Sequence, residues 1–280
     1  VTAERPEEAL LAVNGADVVM SAGVPVDATL IAAMDRAQSI AIFGHGFESV
    51  DVNAATRAGI MVTNAAYICN QEVANHCAAM ILALNRKLVQ ADRAMREGTW
   101  DRPSLRPIGQ LDGEVAGLIG FGAIGRSLAR RLNAFGLSVH AYDPYTDDWA
   151  WREYGVTRSS SLEKLLALSD YVSIQVPFND QTHHMIGESQ FRVMKKSAYF
   201  VNCCRGGVVD EAALIKILKQ NLIAGAGLDV FEQEPTPPDN PLLRMDNVIA
   251  TPHAGGESTA SGPDSNKVAS EQAAAVLRGQ

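Results

Sequence analysis

Arg205 stands where a buried strand gives way to a helix, in the stretch "AYFVNCCRGGVVDEAAL". Ala198 to Cys203 reads as the strand and Asp210 onward as the helix. A cation at such a rim is costly to bury unless an anion meets it. No acid lies in the first few positions on either side. Either Arg205 points to water, or the anion it waits for is not part of the chain. Gly206 and Gly207 beside it would let that anion come close.

A second set of residues fits a phosphate ligand. In "GLIGFGAIGRSLARRLNAFGLSVHAYD", Gly120, Gly122 and Gly125 form GxGxxG directly after an apolar strand and at the start of a helix. An acid, Asp143, ends the next strand, which completes the context of a dinucleotide site. Gly120 permits the tight turn, Gly122 lets the backbone approach a pyrophosphate, and Gly125 lets helix and strand pack closely. Amides near Ala123 and Ile124 then face the phosphate charge at a helix N-terminus. Asp143 would accept hydrogen bonds from the ribose hydroxyls and repel a 2′-phosphate, and the following "PYTDD" offers no cation, so NAD is favoured over NADP. Glycines needed only for packing would explain the spacing alone; they do not explain the strand, the helix and the acid together.

Short apolar strands and helix-period segments alternate through most of the chain. "ADVVM", "SIAIFG" and "IMVTNA" are strand candidates, with "DATLIAAMDRA" and "VDVNAATRAG" between them, the latter stopped by Gly59. One long helix is expected from Glu72 to about Glu97, ended by Gly98, followed by a Pro- and Gly-rich loop, "TWDRPSLRPIGQLDG". The rhythm resumes with strands in "EVAGLIG", "SVHAYD", "YVSIQVP", "AYFVNC", "IAGAGLDV" and "NVIATP". The helix in "SSLEKLLALS" opens with Ser160 and Glu163 at capping-box spacing. "KVASEQAAAVLRG" reads as a closing helix, with Gly262 and Pro263 marking its start. The pattern predicts an α/β protein with parallel sheets.

The 280 residues are 47% apolar and 20% charged, an ordinary soluble composition with room for two domains. A net charge of −8 argues against nucleic acid or an anionic membrane as partner. The longest apolar run, "CAAMILAL", is far short of the roughly 18 residues of a membrane helix. "VTAERPEEALLAV" carries acids where a secretory signal has a basic segment. Cys69, Cys77, Cys203 and Cys204 show neither metal-ligand spacing nor a disulfide framework, so they read as reduced thiols of a cytoplasmic protein with no metal site.

Four motifs in order, the glycine turn with Asp143, "NCCRGGVVDEAAL", "GLDVFEQEP" and "TPHAGG", resemble the D-2-hydroxyacid dehydrogenase family, and "DVNAATRAGIMVTNA…EVANH" resembles its first domain. The resemblance implies two Rossmann-like or flavodoxin-like domains. The dinucleotide domain, residues 76–255, is inserted into a substrate domain formed by residues 1–75, and residues 256–280 are a helix returning to it. Family members have one more strand–helix segment before the equivalent of "GADVVM"; here it is short or absent, which would expose a sheet edge.

Carried over by motif, the catalytic set is Arg205, Glu234 and His253. A 2-oxo acid would supply the anion for Arg205, whose guanidinium fork suits a carboxylate. His253 would exchange a proton with the carbonyl oxygen as hydride arrives, and Glu234 would fix its tautomer. The resemblance assigns Asp229 to the nicotinamide carboxamide, places Val176 and Pro177 near the nicotinamide, and gives Cys203 a role through its carbonyl. Cys204 replaces a small residue and is expected to make the site sensitive to oxidation. His45 and Gly46, in "FGHGFESVD", map onto the substrate-binding loop, and His45, Glu48 and Ser49 depart from the family's usual residues. His183 and His184 read as surface-loop residues without a role. The reaction implied is hydride transfer between NAD(H) and a small D-2-hydroxy or 2-oxo acid, of glyoxylate, hydroxypyruvate or phosphoglycerate type, in a homodimer whose interface includes residues 72–113. A phosphite-type dehydrogenase or an NAD-sensing corepressor-like protein would share the architecture.

Overall fold

The structure is a computed structural model that describes residues 5–22 and 24–279. The chain divides into two compact units, Val1–Cys69 with Glu257–Gln280, and Asn70–Gly256. In chain order the first unit opens with α1 (Pro6–Ala12), β1 (Val18–Ser21), α2 (Ala28–Ala32), β2 (Ser39–Ile42), α3 (Val52–Ala58) and β3 (Met61–Asn64). The second contains α4 (Asn70–Arg86), α5 (Leu88–Arg96), β4 (Val115–Ile119), α6 (Ala123–Ala134), β5 (Ser138–Tyr142), α7 (Asp148–Glu153), β6 (Thr157–Arg158), α8 (Leu162–Leu168), β7 (Tyr171–Ile174), α9 (Glu188–Val193), β8 (Tyr199–Asn202), α10 (Glu211–Lys219), β9 (Gly225–Leu228) and β10 (Val248–Ala250). The chain then returns to the first unit as α11 (Ser261–Leu277).

In the first unit β1, β2 and β3 form a parallel sheet in that order, with β1 at one edge. Ile31, Ile40, Ala54 and Ala55 are in its core, and Ala269 and Ala273 of α11 pack on Ala41. Helix starts are sequence-encoded: Asp27 accepts from the Leu30 amide and Asp51 from the Ala54 amide, each cap being worth about 1 kcal/mol. Gly59 ends α3 in the left-handed region at φ 71°, as its position predicts.

The second unit is a seven-stranded parallel sheet in the order β6-β5-β4-β7-β8-β9-β10. Successive strands add outward from β4 in one direction, then outward from β4 through β7 in the other, so the order reverses between β4 and β7. Such a switch point opens a crevice at the C-terminal strand ends. Strand residues buried on both faces, among them Leu118, Ile119, Ile174 and Phe200, explain why these segments read as continuous apolar runs. Each fully buried side chain of this kind contributes about 1.5–3 kcal/mol.

Two expectations need correction. The single helix expected from Glu72 to Glu97 is two helices. Lys87 takes a left-handed backbone at φ 52°, ending the buried stripe of α4 (Val73, Cys77, Met80, Ile81, Leu84) and turning α5 so that none of its residues is buried. Lysine does not announce such a turn in a sequence, as glycine does. The cap of α8 is Ser161, which accepts from the Lys164 amide; Ser160 instead accepts from Lys164 Nζ. Among the described residues no helix is long and apolar enough to cross a membrane.

Candidate active site

The loops that follow β4, β5, β7, β8, β9 and β10 leave the same end of the second unit's sheet, and all but two of the expected site residues are on them or at the start of α6. Gly120 has φ 92°, and a side chain there would strike the Gln175 carbonyl and come within 3.1 Å of Val176 Cγ1, across the switch point. Its amide donates to the Tyr142 carbonyl at 2.9 Å. At Gly125 a Cβ would stand 2.5 Å from the Gly120 carbonyl oxygen, so α6 abuts the turn. Above Gly122, by contrast, there is nothing within 4 Å of where a Cβ would be. No side chain caps α6, which leaves the amides of Ala123 and Ile124 for a ligand. Open backbone, an uncapped helix and an acid at the end of β5 fit a dinucleotide pyrophosphate and its ribose.

Asp143 does more than the sequence suggests. Its Oδ2 accepts from the Phe121 amide and its Oδ1 from the Tyr145 amide, both at 2.8 Å. The carboxylate therefore holds the glycine turn, and each oxygen keeps a lone pair for a ribose hydroxyl. A cation does reach this corner, though not from "PYTDD": Arg126 of α6 donates to the Phe121 carbonyl at 3.2 Å, and the Thr146 hydroxyl donates to the same oxygen at 3.4 Å.

Arg205 follows β8, half-buried, and its Nη1 donates to the Cys204 carbonyl at 2.6 Å. The loop is folded by Asn202, which sequence reasoning passed over. This residue is 1% exposed; its Oδ1 accepts from the Cys204 amide at 3.0 Å and its Nδ2 donates to the Arg205 carbonyl at 2.9 Å. An Asn at a strand end before a turn was the available signal. A side chain at Gly206 would run into the carbonyl group of Phe231, so the Arg205 loop rests on the backbone of the loop that carries Glu234.

Glu234 and His253 meet directly. Glu234 Oε2 lies 2.7 Å from His253 Nδ1, and Glu234 Oε1 accepts from the Phe231 amide at 3.0 Å. With Nδ1 facing the carboxylate, Nε2 is the nitrogen turned to other chemistry. His253 has φ 53°, an uncommon backbone for a residue with a side chain, and its amide donates to the Asp229 carbonyl at 2.7 Å.

Asp229, 1% exposed, is committed to this same turn. Its oxygens accept from the Thr251 hydroxyl and from the amides of Ala254 (2.9 Å) and Gly255 (2.8 Å). His76 Nε2 lies 2.9 Å from Thr251 Oγ1 and 3.5 Å from Asp229 Oδ1. The carboxylate that resemblance gave to the nicotinamide also holds the His253 turn, with His76 and Thr251 as unforeseen partners.

Val176 borders Gly120, and the Pro177 carbonyl accepts from the Thr182 hydroxyl at 2.6 Å. The Cys203 thiol is buried, 3.7 Å from Met80 Sδ, and a hydrogen bond with Cys77 together with burial raises its pKa. Burial pushes the Cys204 thiol up to about 11. A thiol held protonated in this way is a poor nucleophile, which argues against the oxidation sensitivity expected of it. His45 and Gly46 lie in the first unit, in the loop after β2, where the His45 carbonyl accepts from Asn64 Nδ2 at 2.6 Å. A cavity of about 460 Å³ opens at the opposite end of the sheet, between Asn85, Tyr171, Tyr199 and Val248. It is remote from the strand ends that carry these groups.

Residues 78–255 match the model of the D-isomer specific 2-hydroxyacid dehydrogenase NAD-binding domain. The chain belongs to that family, the NAD-dependent oxidoreductases of 2-hydroxy acids. It is 42% identical to a glyoxylate reductase of Korarchaeum cryptofilum, over 91% of this chain and 78% of that protein. It is 39% identical to a D-3-phosphoglycerate dehydrogenase of Methanocaldococcus jannaschii, covering 98% of this chain but only 52% of that longer protein. The D-lactate dehydrogenase of Aquifex aeolicus, solved with NAD and lactic acid, superposes with a TM-score of 0.89 at 30% identity, over 99% of this chain and 86% of that one.

Proposed function

We propose that the chain interconverts a small 2-oxo acid and its D-2-hydroxy acid, with Arg205, Glu234 and His253 as the reacting set. NAD(H), when bound, gives or takes the hydride at the substrate C2. The observation that carries the reading is the 2.7 Å contact between Glu234 Oε2 and His253 Nδ1. It fixes one ring nitrogen and orients the imidazole, so Nε2 can donate a proton to the substrate oxygen during reduction and accept it in the reverse direction. Arg205 anchors the substrate carboxylate and stabilises the developing oxyanion. Gly120, Gly122, Ala123, Ile124 and Gly125 cradle the pyrophosphate, and Asp143 binds the ribose. Val176, Pro177 and the Cys203 carbonyl border the nicotinamide, Asp229 binds its carboxamide and supports the His253 turn, and His45 and Gly46 contact the substrate.

Glyoxylate-type acids are the favoured substrates, supported by the glyoxylate reductases among the relatives. The four free thiols are consistent with a reducing, cytoplasmic setting. Leu88, Val89 and Met95 on α5, with Trp100 beyond it, are exposed and apolar, which supports a homodimer built through residues 72–113. NADH oxidation with glyoxylate, hydroxypyruvate, pyruvate and 3-phosphohydroxypyruvate tests the activity. Turnover on at least one is expected; NADH binding with turnover on none would overturn it.

A further inference from the structure

The loop after β7 holds a histidine that links the two loops bearing the reacting groups. His184 has φ 49°. Its amide donates to the Gly207 carbonyl at 2.9 Å, in the Arg205 loop. Its ring Nε2 lies 2.6 Å from Glu232 Oε1, in the Glu234 loop. The first loop is held tightly elsewhere too. Phe178 packs on Gly207, where a Cβ would come within 2.7 Å of its Cε2, and the Ile186 amide donates to the Val208 carbonyl at 3.1 Å. His183 stacks on His184 with ring centroids 4.0 Å apart, and Phe178 backs His183. The His184 ring therefore grows from a firm body. Glu232 is two residues from Glu234, and its Oε1 also accepts from the Glu211 amide at the start of α10, at 3.2 Å.

We propose that His184 is a positioning residue: its main chain holds the Arg205 loop while its ring holds the Glu234 loop, and so it sets where Glu234 meets His253. This rests on the reading of Arg205, Glu234 and His253 given above. The left-handed backbone narrows what can replace it: asparagine adopts that conformation readily, an unbranched residue such as glutamine at a small cost, and β-branched residues poorly. Asparagine is also too short to span from position 184 to Glu232. Half-exposed polar pairs of this kind add little to stability, so loss of this one should appear in rate rather than in melting.

The test compares wild type, His184→Asn, His184→Gln and Glu232→Ala on whichever 2-oxo acid the wild type reduces. For His184→Asn, kcat should fall about 10-fold, because loop shifts of a fraction of an ångström misalign reacting groups. KM and the NADH dissociation constant should stay within about threefold, and Tm should stay close to that of wild type. His184→Gln, whose amide can still donate to Glu232, should recover most of kcat. Adding Glu232→Ala to His184→Asn should cost little more than either alone. Unchanged kcat in His184→Asn, failure of the glutamine to rescue, or a loss seen only in Tm would overturn the proposal. A wild type that turns over no 2-oxo acid would refute the functional reading instead, and the two failures are distinguishable.

Discussion

Replacing Gly206 with alanine should cripple turnover while sparing cofactor binding. Gly206 has no left-handed backbone to lose, so the effect is purely steric. The added Cβ would overlap the carbonyl carbon and oxygen of Phe231 and crowd the Glu232 amide. These are backbone atoms and cannot rotate away, so the Phe231–Glu234 loop must withdraw by roughly 1 Å. Glu234 moves with it, because its Oε1 is held by the Phe231 amide. Stretching the 2.7 Å contact with His253 by that amount takes it beyond hydrogen-bond range. Misplacement on this scale costs on the order of 100-fold in rate, or about 2.7 kcal/mol of barrier. Overpacking also destabilises by about 1–3 kcal/mol, which a domain of ordinary stability survives. The assay is steady-state NADH oxidation, with NADH fluorescence titration for binding and circular dichroism for folding. A folded variant whose kcat stays within a few-fold of wild type would refute the claim that the contact between these two loops sets the Glu234–His253 geometry.

Four other outcomes follow from the same contacts. His253→Asn should lower kcat by about 1,000-fold with NADH affinity nearly unchanged; comparable loss of both would point to a structural role. Asp143→Ala should shift the ratio of kcat/KM for NADH over NADPH by about 10-fold towards NADPH, through lost ribose bonds and the nearby Arg126, at some cost in stability because the Phe121 and Tyr145 amides lose their acceptor; an unchanged ratio would count against the ribose role. Iodoacetamide at pH 8 should leave Cys204 unlabelled in the native protein and label it after denaturation, since burial pushes its thiol up to about 11; peptide mass mapping reads this. Burial lowers the pKa of His140 from its ordinary 6.5, so the unfolded chain binds the proton more readily. This contribution to stability is present above that value and is lost as pH falls from it through the lower folded-state pKa; His140→Asn should flatten the Tm profile below about pH 6.5, and an unchanged slope would contradict it.

The glycine turn was legible because two of its glycines answer a steric demand and the third leaves the backbone open, at a fixed spacing. Gly120 and Gly125 have no room for a side chain, and Gly122 faces open space. The strands were legible because both faces of the sheet are covered and the runs are uniformly apolar. The break at Lys87 was not, because the side chain there gives no sign of its backbone angle. Nor was β6, two exposed residues long. At the site, resemblance supplied Glu234 and His253. It did not supply Asn202, His76, Thr251 or His184, since hydrogen bonds between residues distant in sequence follow no local pattern. The inward commitment of Asp229 was hidden for the same reason: its partners become neighbours only once β9 and β10 pair.

The backbone at His253 carries an evolutionary consequence. A left-handed residue with a side chain costs about 1–3 kcal/mol unless it is glycine or asparagine. The Asp229 hydrogen bonds hold that unfavourable shape in place. Selection for heat tolerance alone would drift towards glycine or asparagine at this position and yield a sturdier molecule that, on the function proposed above, no longer moves a proton. Directed-evolution screens on this scaffold therefore need turnover in the selection from the first round.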